Sequence, residues 1–115
     1  MSYSEGSNNL RRDSRVTAEL PARISIGSQL TLNGLLKDLS LKSAFIRVKN
    51  SVYVQLNDEV GFEIQCSIND PQDVVVGMAR ISRIAGGEGL AIYFTKMEEI
   101  SLKRLKELLK ETGIY

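Results

Sequence analysis

Val74-Val75-Val76-Gly77-Met78-Ala79-Arg80-Ile81-Ser82-Arg83-Ile84, then Gly86-Gly87-Glu88-Gly89, then Leu90-Ala91-Ile92-Tyr93-Phe94, is the stretch that decides the fold class. Consecutive β-branched residues, a glycine cluster and a second apolar run read as a long strand, a turn and the next strand. Toward the N-terminus the same grammar repeats. Asn69-Asp70-Pro71-Gln72-Asp73 is a turn cluster, and before it Val60-Gly61-Phe62-Glu63-Ile64-Gln65-Cys66 alternates as a strand led in by Asn57-Asp58-Glu59. Ala44 to Lys49 and Gln29 to Asp38 are further strands, and Gly34 within the second suggests a bend or bulge. Gly27-Ser28 is a two-residue turn signal after Ala22 to Ile26. Val16 to Leu20 alternates weakly into that run through Pro21, which cannot donate to a ladder and so predicts an edge or a bulge. About six short strands separated by turns describe a sandwich or a barrel, and alternation alone does not choose between them.

Toward the C-terminus the period changes. Leu102, Leu105, Leu108 and Leu109 recur at helical spacing, with Lys103, Arg104, Lys106 and Lys110 on the other side. Glu98 and Glu99 suit the positive end of a helix dipole and Lys110 the negative end. Gly113 is a plausible stop. A helix over about 98–112 is expected, its leucines packed on the chain's own sheet.

Composition narrows the function classes. The chain has 115 residues, 43% hydrophobic and 25% charged, with net charge +1, as expected of one globular domain. The charge balance disfavours a dedicated DNA or RNA binder, which carries a broad basic face. The aromatic residues are too few for the stacking platforms of a single-strand-binding barrel. There is no histidine and one cysteine, Cys66, so the usual zinc sets and the commonest general base are missing. Cys66 reads as a small strand residue rather than a nucleophile. No catalytic residues, metal site or cofactor are expected, and an enzyme ranks last. No run approaches the ~20 apolar residues of a membrane-spanning helix. Met1 to Asn9 is polar, without a signal-peptide core, so a flexible leader and a cytoplasmic location are expected.

Two clusters carry chemistry. Arg11-Arg12-Asp13-Ser14-Arg15 places several guanidinium groups on a short segment, able to fork onto phosphate oxygens, stack on a base or donate to the O6/N7 edge of guanine. Asp38-Leu39-Ser40-Leu41-Lys42-Ser43 ends a strand. Its Asp38 carboxylate suits the N–H donors of guanine, and Ser40 and Ser43 can donate to phosphate or cap their own turn. Each cluster alone is ordinary: a solvated charge run and a strand-ending turn.

Taken together and in this order, the clusters resemble the PilZ domain family, whose pattern is Arg-x-x-x-Arg followed by Asp/Asn-x-Ser-x-x-Gly. Gly77 to Arg83, Gly89 to Phe94 and the C-terminal amphipathic helix extend the likeness over roughly Leu10 to Leu109. The resemblance implies an all-β fold: a six-stranded antiparallel barrel within about 16–95 and a helix over about 98–112, one domain spanning 10–112 after a leader over 1–9. It implies cyclic di-GMP as ligand, held by Arg11, Arg12, Arg15, Asp38, Ser40 and Ser43, with Arg80 or Met78 on the neighbouring surface. It also implies a bacterial second-messenger receptor, of the kind that serves motility or biofilm control, acting on an unidentified protein partner in trans.

One position departs from the family pattern. Ser43 stands where the family has glycine. If that position requires positive φ, serine costs on the order of 1 kcal/mol, which would weaken binding several-fold without abolishing it. The alternative is a protein-interaction module of the same fold, in pilus or motility machinery, that has lost the nucleotide.

Overall fold

The computed structural model describes residues 19–49 and 54–111. Six antiparallel strands and one helix follow in chain order: β1 Pro21–Ile26, β2 Leu30–Leu39, β3 Ser43–Arg47, β4 Glu59–Ser67, β5 Asp70–Ala85, β6 Gly89–Met97 and α1 Glu99–Glu111. They close into a barrel in the order β1-β2-β3-β6-β5-β4, with β4 pairing back onto β1. The barrel alternative of the sequence reading therefore holds. Arg11, Arg12, Arg15 and Gly113 lie outside the described residues.

Alternation fills the interior. Ala22 and Ile24 of β1, Ala44 and Ile46 of β3, Val60, Phe62 and Ile64 of β4, and Leu90 and Ile92 of β6 all face one core. Phe62 and Phe94 stack across it with ring centroids 4.7 Å apart. Gly34 shows why the wall has glycines: a Cβ there would collide with the Arg47 carbonyl oxygen and lie 2.8 Å from a Val48 methyl. The position is one of close approach, and its pairing with Ala22 is regular. The bulge expected there falls three residues later, at Lys37, between the Leu36 and Asp38 pairs. The turn expected over Asn69 to Asp73 is shorter than its composition suggests, because β5 already begins at Asp70, with Pro71 near its free end.

β5 is longer than the strands beside it. β6 pairs with it only from Gly77 to Ala85, so the edge of β5 before Gly77 has no strand neighbour on that side. The helix takes that place. Val76 N–H donates to Ser101 Oγ at 3.0 Å, and Arg104 donates to the Val74 carbonyl oxygen at 3.0 Å. Leu105, Leu108 and Leu109 join the barrel core from the same helix, while Leu102 is half-buried. The leucine stripe thus packs on its own sheet, and two polar side chains complete the ladder that β6 leaves open.

Ser101 is 1% exposed and is the partner of a half-buried backbone N–H. Ser101→Ala should therefore cost about 1–3 kcal/mol of stability, read as a lower urea midpoint with an unchanged denaturant slope.

Candidate functional site

In an antiparallel sheet, residues paired across neighbouring strands share a face. The register therefore defines rows around the outside of the barrel. Asp38 pairs with Phe45, Phe45 with Ala91, and Ala91 with Arg83. One exterior row thus runs Asp38–Phe45–Ala91–Arg83 across β2, β3, β6 and β5. The next row runs Ser43–Tyr93–Arg80–Glu59.

Two bulges create the first row. Strict alternation from Leu36, which is buried, would point Lys37 outward and Asp38 inward. The extra residue at Lys37 lets Asp38 face solvent while Leu39 is again buried. On β5, alternation from the buried Ile81 would send Arg83 into the core. The shift between the Ile81 and Arg83 pairs leaves Ser82 unpaired and turns Arg83 outward. Both ends of the row are therefore charged and exposed because of a local irregularity in the strand that carries them.

Between them lies a shallow depression of about 230 Å³, lined by Asp38, Ser40, Ser43, Phe45, Arg83 and Ala91 among others. Phe45 forms its floor. Although Phe45 faces outward, it is only 8% exposed and stands outside the barrel core cluster. Arg83 lies with its guanidinium carbon 5.3 Å from the ring centroid, and the Lys37 ammonium lies 5.9 Å from it. The flanking basic groups interact with the ring quadrupole and shield it from water.

The turn from β2 to β3 is built by Ser40. Its N–H donates to the Ser43 carbonyl oxygen at 2.8 Å, and its Oγ accepts the N–H groups of Lys42 at 3.3 Å and Ser43 at 3.1 Å. The Ser40 and Ser43 hydroxyls lie 3.0 Å apart. Ser43 opens β3, and the non-glycine residues with positive φ among those described are Glu19 and Asn57. Ser43 thus carries no left-handed strain, and the conditional cost in the sequence reading does not arise.

The structure brings Asp38, Ser40 and Ser43 into one depression. Arg80 and Met78 do not line it. Arg80 is in the adjoining row, but its guanidinium donates to the Asn57 carbonyl oxygen at 2.9 Å, holding the loop before β4. Met78 pairs with Gly61 and Lys96, farther along β5. Sequence reasoning did not single out Phe45 or Arg83 as site residues. Phe45 falls within the strand expected over Ala44 to Lys49, and the bulge that turns Arg83 outward leaves no mark in the alternation. Tyr93, 48% exposed, borders the site between Ser43 and Arg80.

Against known families, the model of the PilZ domain matches residues 9–111 of this chain. No curated protein matches it.

Among the described residues there is no cluster of three or more His, Cys, Asp or Glu side chains placed to hold a metal ion, and no helix is long and apolar enough to cross a membrane. Cys66 is half-buried, and burial, helped by the charge of Asp73, pushes its thiol up to about 11. An ordinary thiol titrates near ~8.5, so at neutral pH Cys66 has a far smaller thiolate fraction. Alkylation by iodoacetamide at pH 7.5 should run on the order of a hundredfold slower than for a free thiol. The rate should climb as pH rises toward about 11, followed by mass spectrometry of the native chain.

Proposed function

The chain belongs to the PilZ domain family, and on that premise we propose that it is a cyclic di-GMP receptor that passes the signal to a protein partner in trans. PilZ domains are in general cyclic di-GMP receptors, a binding family rather than a catalytic one. The observation that carries the reading to this chain is Asp38. Its carboxylate is exposed at the mouth of the depression and, among the described residues, has no hydrogen bond or ion pair. An acceptor pair left open in this way suits the N1–H and N2–H donors of a guanine base.

The remaining roles follow from chemistry. Ser40 fixes the turn that presents Asp38 and Ser43, so its contribution to affinity runs through the backbone it holds. Ser43 offers a hydroxyl beside the depression, where a phosphate or ribose oxygen can meet it. Arg11 and Arg15, with Arg12 assisting, supply the phosphate charge and guanine contacts from the segment before the barrel. Engagement of that segment with the ligand is the proposed signal, since a bound surface made of both arm and barrel differs from the free one. Arg80, engaged with Asn57, and Met78 contribute at most through the neighbouring surface.

A second reading draws on Ser43. A side chain where the family has none narrows the approach to the turn, and a module that had lost the nucleotide would bear such changes freely. It would act through its surface alone and would keep its partner when Arg11 and Arg15 are charge-reversed.

Isothermal titration calorimetry of the chain with cyclic di-GMP, against GTP and cyclic GMP, tests the receptor. Saturable binding selective for cyclic di-GMP is expected, and Arg15→Ala should weaken it by about 1.5–3 kcal/mol through lost charge-assisted hydrogen bonds. Ser43→Gly should leave affinity unchanged or tighten it. Absence of heat together with no ligand-induced shift in melting temperature would leave the interaction module as the reading.

A further inference from the structure

Arg83 differs from the other arginines of the described chain. Arg23 pairs with Glu63 at 3.0 Å, Arg47 with Glu19 at 3.5 Å, and Arg104 with Asp73 and the Val74 carbonyl. Arg80 is bound to Asn57. Arg83 is exposed, and among the described residues its only interaction is with the face of Phe45. Its guanidinium donors therefore have no acceptor among the described residues, although the strand bulges at Ser82 to bring them to the surface.

The opposite end of the same row is Asp38, likewise without a hydrogen bond or ion pair among the described residues. Three strand spacings, roughly 14 Å, separate the backbones of Asp38 and Arg83, and among the described residues the two form no ion pair. Phe45 and Ala91 stand between them in the row, and the Arg83 guanidinium reaches back over the Phe45 ring. An acceptor pair at one end, a donor fork at the other and an apolar surface between them match a flat heterocycle with donors on one edge and acceptors on another. Guanine has that arrangement, with N1–H and N2–H donors against O6 and N7 acceptors. Adenine presents an amino donor in place of O6 and has no donor at C2. The depression, about 230 Å³, holds one purine base and not a whole cyclic dinucleotide.

We propose that Arg83 is a base-reading residue of this site: Asp38 takes the donor edge of one guanine, and Arg83, resting on the face of Phe45, forks onto its O6 and N7. The inference rests on the reading of the site as a cyclic di-GMP receptor. It assigns guanine selection to the barrel wall itself.

The test is calorimetry of the wild type, Arg83→Ala, Arg83→Lys and Arg23→Ala with cyclic di-GMP, its 7-deaza analogue and cyclic di-AMP, alongside thermal unfolding of each protein without ligand. Arg23 is the control for loss of one exterior positive charge. Arg83→Ala should weaken cyclic di-GMP binding about tenfold or more and shrink its margin over cyclic di-AMP. Arg83→Lys should recover only part of the loss, because an ammonium lacks the fork. Arg23→Ala should bind as the wild type does. Removing N7 from the ligand should weaken the wild type but add little to the deficit of Arg83→Ala. If the wild type binds and Arg83→Ala matches it in affinity and base preference, the inference is overturned and the receptor stands. If Arg23→Ala loses as much as Arg83→Ala, the effect is general charge, and base reading is likewise overturned. If the wild type binds neither dinucleotide, the receptor reading falls and this one falls with it.

Discussion

Closure of the barrel, made by pairing Ala22 to Ser25 of β1 with Gly61 to Ile64 of β4, is the constraint from which the rest follows. A closed sheet has no edge at which a strand can slip by a residue. Every position is then committed to the interior or the exterior, and the sole way to change that parity within a strand is an inserted residue. The exterior row from Asp38 to Arg83 exists because β2 and β5 each make such an insertion beside it. Without them, a carboxylate and a guanidinium would point into a core lined by Ile46, Ile81 and Ile92, where neither has a counter-charge.

The same closure explains the helix. A barrel whose strands differ in length leaves backbone groups unpaired wherever the longer strand outruns its neighbour. β5 outruns β6, and α1 supplies what the missing strand would have, with Ser101 accepting at Val76 and Arg104 donating at Val74. Leu105 and Leu109 secure the helix by apolar burial, and the two polar contacts fix where along β5 it docks. A leucine stripe alone specifies a face and leaves the axial position free.

These differences account for what was legible in the sequence. The strands of β1, β4, β5 and β6 follow from alternation and turn residues, because burial on one face imposes the period directly. The helix follows from its leucines in the same way. The bulges at Lys37 and Ser82 do not, since an inserted residue in one strand is defined by its register against another, and register is a relation between distant segments. Gly34 drew attention as a bulge, yet it answers the close passage of the Arg47 carbonyl. For the site, the Asp38-x-Ser40 turn was readable because its hydrogen bonds are local, closing within three residues. Phe45 and Arg83 were not, because their place beside Asp38 is set by pairing across three ladders.

Ser43 shows how the local and the distant parts of the site interact. Glycine at the end of such a turn can serve two needs, a backbone conformation closed to other residues or an open space above the backbone. Here the first need is absent: Ser43 begins a strand and pairs with Tyr93. Its hydroxyl is also drawn to Ser40 at 3.0 Å, which ties the side chain to the turn that Ser40 already organises. What remains is space alone, a few atoms at the rim of a depression whose floor is Phe45 and whose far wall is Arg83. A ligand base held between Asp38 and Arg83 lies along the row, whereas Ser43 belongs to the neighbouring row with Tyr93 and Arg80. Geometry therefore separates the substituted position from the proposed base-reading axis, and under that proposal a change at Ser43 bears on the sugar or phosphate beside that row more than on the base.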